Sequence, residues 1–281
     1  MKVYQLLAFL LVFSACSSSP RNSGEINDMR RRAETQLDQG NRQADRGSLD
    51  FALHLLDEAF RLSVVTDDPG LLVRTGLSRS NVLFSLGRSD EALAGWNGAL
   101  AEAARTGNRE LEAVCRIHLS RGRLLVSGSA VAQTVRDEVS RDLPLISDRQ
   151  YSAFAWTVIA LAERELGRYT EAEAAINRSL EVHMRDRNLE LAAFNWFMIA
   201  SFRSLSGNFS GARGALETAI NYDRRVENSW GLANNWRALG DVEKRAGNRE
   251  ASRDAYLRAA AIFQAMDLED IAEETLARIS D

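Results

Sequence analysis

Proline is almost missing from this chain of 281 residues, which has three, at Pro20, Pro69 and Pro144. A helix-interior proline costs about 3 kcal/mol, so its scarcity leaves long stretches open to helix. Alanine, leucine, arginine and glutamate fill them, residues that lose little in that conformation. No block rich in β-branched and aromatic residues competes. Cysteine is as rare, with Cys16 and Cys115 in unrelated contexts, so no disulfide framework is expected. Cys115 lies in a helical run, Glu112-Ala-Val-Cys-Arg-Ile-His-Leu119, and reads as a small buried hydrophobe. Lysine occurs only at Lys2 and Lys244, a bias toward arginine from which no function is drawn. The chain also has no excess of positive charge: a net charge of −4 and a pI near 5.6 exclude the phosphate-attracting field of a nucleic-acid surface. Chemistry-bearing patterns are missing too. The three histidines, His54, His118 and His183, are far apart, and neither HExxH nor paired CxxC occurs. Phosphate-cradling glycine loops are absent, and Gly207-Asn-Phe-Ser-Gly211 has the wrong spacing for a nucleophile elbow. The expectation is a chain with no catalytic site, metal or cofactor.

What is present starts at the N-terminus. Met1-Lys2-Val3 and the apolar run from Tyr4 to Phe13 have the charged start and short hydrophobic core of an export signal, too short for a permanent span. The run ends in Phe13-Ser14-Ala15-Cys16, which resembles a bacterial lipobox, with phenylalanine where leucine is usual. On that resemblance residues 1–15 are removed and Cys16 carries the lipid. Cleavage after Ser17, leaving a free periplasmic protein, is the alternative. A polar segment follows, so residues 16–25 are expected to form a lipidated, flexible tether. Serine after the cysteine resembles lipoproteins sorted to the outer membrane, facing the periplasm. Arg30-Arg31-Arg32 reads as a solvated first helical turn.

Self-similarity decides the fold. Gly47, Gly87, Gly128, Gly167, Gly207 and Gly247 recur at steps of 40, 40, 41, 39 and 40, each between two stretches of helical periodicity. Glycine there permits the left-handed turn that ends one helix before the next begins. Small residues follow five of these turns, at Ala52, Ala92, Ala172, Ala212 and Ala251, and again at Ala59, Ala99, Ser179, Ala219 and Ala259, where two helices would cross closely. Trp156, Trp196 and Trp236 keep the same period, each eleven residues before its glycine, and are expected to be mostly buried between paired helices. The third unit breaks the pattern: its second helix, near Ala130 to Leu143, lacks the glycine-to-alanine spacing and stops at Pro144. A kink is expected there. Leu268 to Ile279 reads as a terminal helix with one apolar face.

These residues together resemble the tetratricopeptide repeat over roughly residues 26 to 267. The forty-residue period without a closing proline resembles the longer repeats of kinesin light chains. The resemblance implies an all-α, right-handed superhelical solenoid of about six helix-turn-helix hairpins, with residues 268–281 as a C-terminal cap. It also implies a role: the first helix of each hairpin would line a concave groove that binds a protein or extended peptide. On that geometry the groove of the last three units would include Phe154, Thr157 and Arg164, then Phe194, Phe197 and Ser201, then Asn234, Arg237, Asp241 and Lys244. The asparagine and lysine pattern of carboxylate-clamp repeats is not among them. The function expected is a lipid-anchored envelope scaffold, with a ligand-handling accessory of a solute-binding protein as the alternative.

Overall fold

The computed structural model describes residues 23–279, with side chains from Asp28 onward. The expected signal, Cys16 and the tether up to residue 22 lie outside the described residues. Ser23 to Glu25 belong to the first helix, which therefore starts three residues before the boundary drawn from the sequence.

The periodicity becomes six consecutive helical hairpins: α1 (Ser23–Asp45) with α2 (Leu49–Val65), α3 (Pro69–Ser85) with α4 (Ser89–Thr106), α5 (Arg109–Ser127) with α6 (Ser129–Asp142), α7 (Arg149–Glu165) with α8 (Tyr169–Arg185), α9 (Leu189–Leu205) with α10 (Phe209–Arg225), and α11 (Ser229–Arg245) with α12 (Arg249–Ala265). A short α13 (Glu269–Ala277) covers the last hairpin. No strand occurs among the described residues. The architecture is an all-α superhelical solenoid.

The reason for each second helix is visible in its buried stripe. In α8 the buried positions are Ala172, Ala175, Ile176, Ser179, Leu180 and His183. That spacing of three and four is the apolar face of an α-helix. Forty residues on, α10 buries Ala212, Ala215, Leu216, Ala219, Ile220 and Asp223. The stripe of α12 is Ser252, Ala255, Tyr256, Ala259, Ala260 and Phe263. Ser252, not the exposed Ala251, therefore occupies the small-residue column in the last unit. The turn within each hairpin is left-handed at its glycine, as at Gly167 (φ 72°) and Gly207 (φ 83°).

A second set of turns, joining one hairpin to the next, uses a register not drawn above. Asp67, Gly107, Arg187, Glu227 and Asp267 all have φ between 48° and 66°. One residue after the first four come the helix caps Asp68, Asn108, Asn188 and Asn228, whose side chains accept from the N–H of Leu71, Leu111, Leu191 and Gly231 at 3.0–3.1 Å; Asp148 caps α7 at Tyr151 in the same way without a left-handed residue before it, and Leu268 after Asp267 supplies no side-chain cap. Each cap satisfies a donor that the first turn leaves without an intrahelical partner. In the third unit α6 is shortened to 14 residues and passes through the 3-10 turn Leu143–Leu145 at Pro144.

Hairpins are fastened by small residues and by part-buried ion pairs. Arg136 of α6 donates to Glu163 of α7 at 3.0 Å, and Arg213 of α10 to Glu243 of α11 at 2.7 Å, with each carboxylate almost fully covered. Trp96 of α4 is completely buried, and Gly122 of α5 makes room for it, since an added Cβ would lie 2.3 Å from its ring. The three periodic tryptophans, Trp156, Trp196 and Trp236, are mostly buried as expected, packed on the margin of the core, though none is enclosed as Trp96 is. Trp236 is instead flanked by the guanidinium groups of Arg224 (5.7 Å) and Arg258 (4.9 Å), which shield its faces.

Curvature follows from which helices meet. Successive first helices touch one another, α1 with α3, α3 with α5, α5 with α7 and α9 with α11, whereas successive second helices make no comparable contact. First helices therefore line the inside of the bend. The bend is strong enough to bring the first and sixth hairpins together: the turn after α1 meets the start of α11, where an added Cβ on Gly47 would lie 2.8 Å from the Trp230 ring.

Candidate functional site

Where these hairpins meet they enclose a cleft of about 400 Å³. One wall is α9, contributing Glu190, Leu191, Phe194 and Phe197; the opposite wall is α11, with Trp230, Gly231, Asn234 and Asn235. Ala44 and Asp45 at the end of α1 close one side, and Asp223 and Asn228 stand at the back.

The apolar part is aromatic. Phe194 is 46% exposed, an unusual cost for a large ring, and lies nearly parallel to Phe197 with centroids 6.4 Å apart. The two rings are three residues apart on one helical face, so α9 presents them together. Trp230 packs edge-on to Phe263, centroids 5.7 Å apart, which fixes the indole beside the Gly47 turn.

The polar part is acidic. Asp223 is 2% exposed and accepts hydrogen bonds from Asn228 Nδ2 at 2.9 Å and Asn235 Nδ2 at 2.6 Å. Gly231 leaves room for this arrangement, because an added Cβ would fall 2.6 Å from Asp223 Oδ2. Burial and the nearby Glu190 charge, offset in part by the two asparagine donors, push the Asp223 carboxyl up to about 6. Asp45, at the cleft's rim, is exposed, yet the protein crowded around it and the Glu190 charge push its carboxyl up to about 6. Among the described residues no lysine or arginine forms an ion pair with Asp45, Glu190 or Asp223. The contrast is with Asp186, Glu173 and Glu243 nearby, each held by an arginine.

The residues expected to line a groove fall into several places. Phe194, Phe197 and Asn234 are brought together in this cleft. Ser201 and Asp241 line a smaller one, about 210 Å³, between α9 and α11. Arg237 lies over the Phe263 ring at 5.5 Å and donates to Asn234 at 2.8 Å. Asp241 accepts from Tyr256 and Arg278, and Lys244 donates to the Arg278 carbonyl, so both tie α11 to the C-terminal cap. Phe154 is stacked on His118 at 4.3 Å, and Arg164 is bonded to its neighbour Glu165. Thr157 needs correction: its hydroxyl donates to Ala153 O and to Ser179 Oγ, so it faces α8 inside its own hairpin.

Residues missed were Asp45, Glu190, Asp223, Asn228, Trp230 and Asn235. One signal was available for Asp223: its column elsewhere holds Ser63, Ala103, His183 and Phe263, so a carboxylate there breaks the repeat. Nothing local announces Asp45, because its place in the cleft depends on the summed curvature of five hairpins.

The histidines do not join a site. His54 is exposed, whereas burial holds His118 down to about 3 and lowers His183, so both are neutral near pH 7. Cys115 is free and fully buried, and desolvation pushes its thiol up to about 12, the behaviour of an inert packing residue. Among the described residues no group of three or more His, Cys, Asp or Glu is placed to hold a metal, and no helix is long and apolar enough to cross a membrane.

Comparison with known proteins agrees on the fold. The tetratricopeptide repeat family model matches residues 155–182, from the middle of α7 through α8. No curated protein sequence matches the chain. Among solved structures, BtubC (BKLC) from P. vanneervenii is similar, with a TM-score of 0.58, 17% identity, and coverage of 84% of this chain and 92% of that one. A Rap protein complexed with competence and sporulation factor gives a TM-score of 0.62 at 12% identity, over 89% of this chain and 75% of that one. The apo form of RapI gives 0.52 at 12% identity, over 87% and 95%. At these identities the likeness is one of fold: a solenoid of tetratricopeptide type.

Proposed function

We propose that the chain is a scaffold that holds a protein or extended peptide on the inner face of its solenoid, tethered to the bacterial envelope through a lipid on Cys16. The observation that carries the binding role is the pair of rings at Phe194 and Phe197. They stand on the concave side, one of them nearly half exposed, in a cleft wide enough for side chains. Large rings on a rigid surface concentrate binding energy, because they bury much area while losing little entropy. A similar fold, that of the Rap protein, has been seen complexed with competence and sporulation factor, which fits the same use of a curved helical surface. The long period of forty residues suits the longer repeats of kinesin light chain type. Binding, and no catalysis, is the role assigned.

The anchor rests on Phe13-Ser14-Ala15-Cys16 behind a short export signal, and an outer-membrane position facing the periplasm rests on Ser17. Two measurements test the two halves. Affinity capture from the native envelope should recover a partner with the intact protein and lose it with Phe194→Ala combined with Phe197→Ala, while the helical circular dichroism is unchanged; retention of the partner contradicts the groove. Mass analysis of the mature N-terminus should find a lipid-modified Cys16, lost in Cys16→Ser. A wild-type N-terminus at any later residue contradicts the anchor.

A further inference from the structure

The cleft between α9, α11 and the turn after α1 carries more negative charge than the protein itself balances. Three carboxylates, Asp45, Glu190 and Asp223, converge on it, and none has an arginine or lysine partner among the described residues, in a chain whose cations are nearly all arginine. Asp223 sits in a column that is otherwise apolar or neutral, and its two asparagine partners supply hydrogen bonds without neutralising charge. Asp223 is the buried one of the three, and a buried charge without a counter-charge is costly. Backbone donors do not make the cleft an anion site instead, because the first-turn N–H groups of Leu191 and Gly231 are already taken by Asn188 and Asn228. The walls facing these carboxylates are flat aromatic surfaces, the electron-rich faces that attract cations.

We propose that this cleft receives an arginine side chain of the polypeptide partner, its guanidinium between Asp45 and Glu190 with Asp223 behind, and its plane against the rings of Phe194, Phe197 and Trp230. The inference rests on the groove reading above and narrows it to a charge and a shape. Arginine fits better than lysine because its guanidinium is planar, stacks on rings, and presents a fork of donors to carboxylates. It also links distant hairpins: Asp45 comes from the first and Glu190 from the fifth, so a cation between them relieves a repulsion that otherwise opposes their approach.

Fluorescence anisotropy of the full-length protein provides the test, with a fluorescein-labelled nonapeptide Gly-Ser-Ala-Leu-Arg-Leu-Ala-Ser-Gly and its citrulline counterpart, which keeps the shape and removes the charge. The arginine peptide should bind at least ~10-fold more tightly, the size of one charge-assisted contact. Glu190→Gln, at a partly exposed position, and Asp45→Asn, at an exposed one, should each weaken the arginine peptide ~3- to 10-fold and leave the citrulline peptide within about twofold. Equal binding of the two peptides, or charge variants without effect, overturns the arginine inference. Should Phe194→Ala then still abolish binding of both, the groove reading stands alone; should it have no effect either, both fall. No binding of the arginine peptide at millimolar concentration, or equal affinity for free arginine amide, also overturns a peptide-borne arginine as the occupant.

Discussion

Trp96 in the second hairpin and Trp236 in the sixth show how differently one residue type is used along the same solenoid. Trp96 is wholly enclosed and touched by Gly122, so its removal empties a packed site, and Trp96→Ala should cost about 3–5 kcal/mol in urea unfolding. Trp236 is mostly buried, between two guanidinium groups, and its loss should cost clearly less, about 1–2 kcal/mol, since solvent already reaches part of the ring. Equal losses would contradict the burial assigned to them. The period of the tryptophans and their position against the core were legible in sequence, but the arginines that flank Trp236 were not, because they come from the neighbouring α10 and α12. Asp223 gives a titration signature. Its folded value of about 6 lies above the usual 3.8, so the folded state holds the proton more firmly. Stability from this group is present below pH 4 and lost as pH rises through 6. His118, with a folded value near 3, acts in the opposite sense, so the diagnostic quantity is a difference between proteins. The stability of wild type relative to Asp223→Asn should fall by about 2 kcal/mol between pH 4 and pH 7. A difference independent of pH would show that Asp223 is not desolvated as described.

Helices and their turns are where most of the fold was legible. Glycines at forty-residue steps marked the turn within each hairpin, because an L side chain is strained there. The turns between hairpins were harder to see, since four of their five left-handed positions carry Asp67, Arg187, Glu227 and Asp267 in place of glycine. The caps at these joints, Asp68, Asn108, Asp148, Asn188 and Asn228, recur at forty and could have revealed all but the last joint. These positions yield a paired prediction. Glu227→Gly should raise stability by about 0.5–1 kcal/mol by removing left-handed strain, net of the greater freedom glycine gives the unfolded chain. Asn188→Ala should lower it by about 1 kcal/mol through loss of the cap to Leu191. Thermal or urea unfolding checks both, and a destabilising Glu227→Gly would contradict the turn geometry.

Across the whole molecule, nearest-neighbour packing of hairpins would make a solenoid stable as a sum of local interfaces. The contact of the Gly47 turn with Trp230 adds something a one-dimensional repeat does not need, a meeting of the first and last hairpins that turns an open groove into a bounded cleft. Sequence could place Phe194, Phe197 and Asn234 on the inner side, because each lies on a first helix. It could not supply Asp45 or Trp230 as their neighbours, since small rotations at every hairpin, including the shortened α6, decide whether the ends meet. The most direct test of an inner working surface is site-specific photo-crosslinking in the native envelope. A photoreactive p-benzoylphenylalanine replaces Phe194 or Leu191 on the concave face, or Arg178 on the outer surface of α8, where the side chain is 63% exposed. Crosslinks to one polypeptide from the two concave positions, and none to it from position 178, are the predicted result; equal or exclusive crosslinking from the outer position would contradict the account.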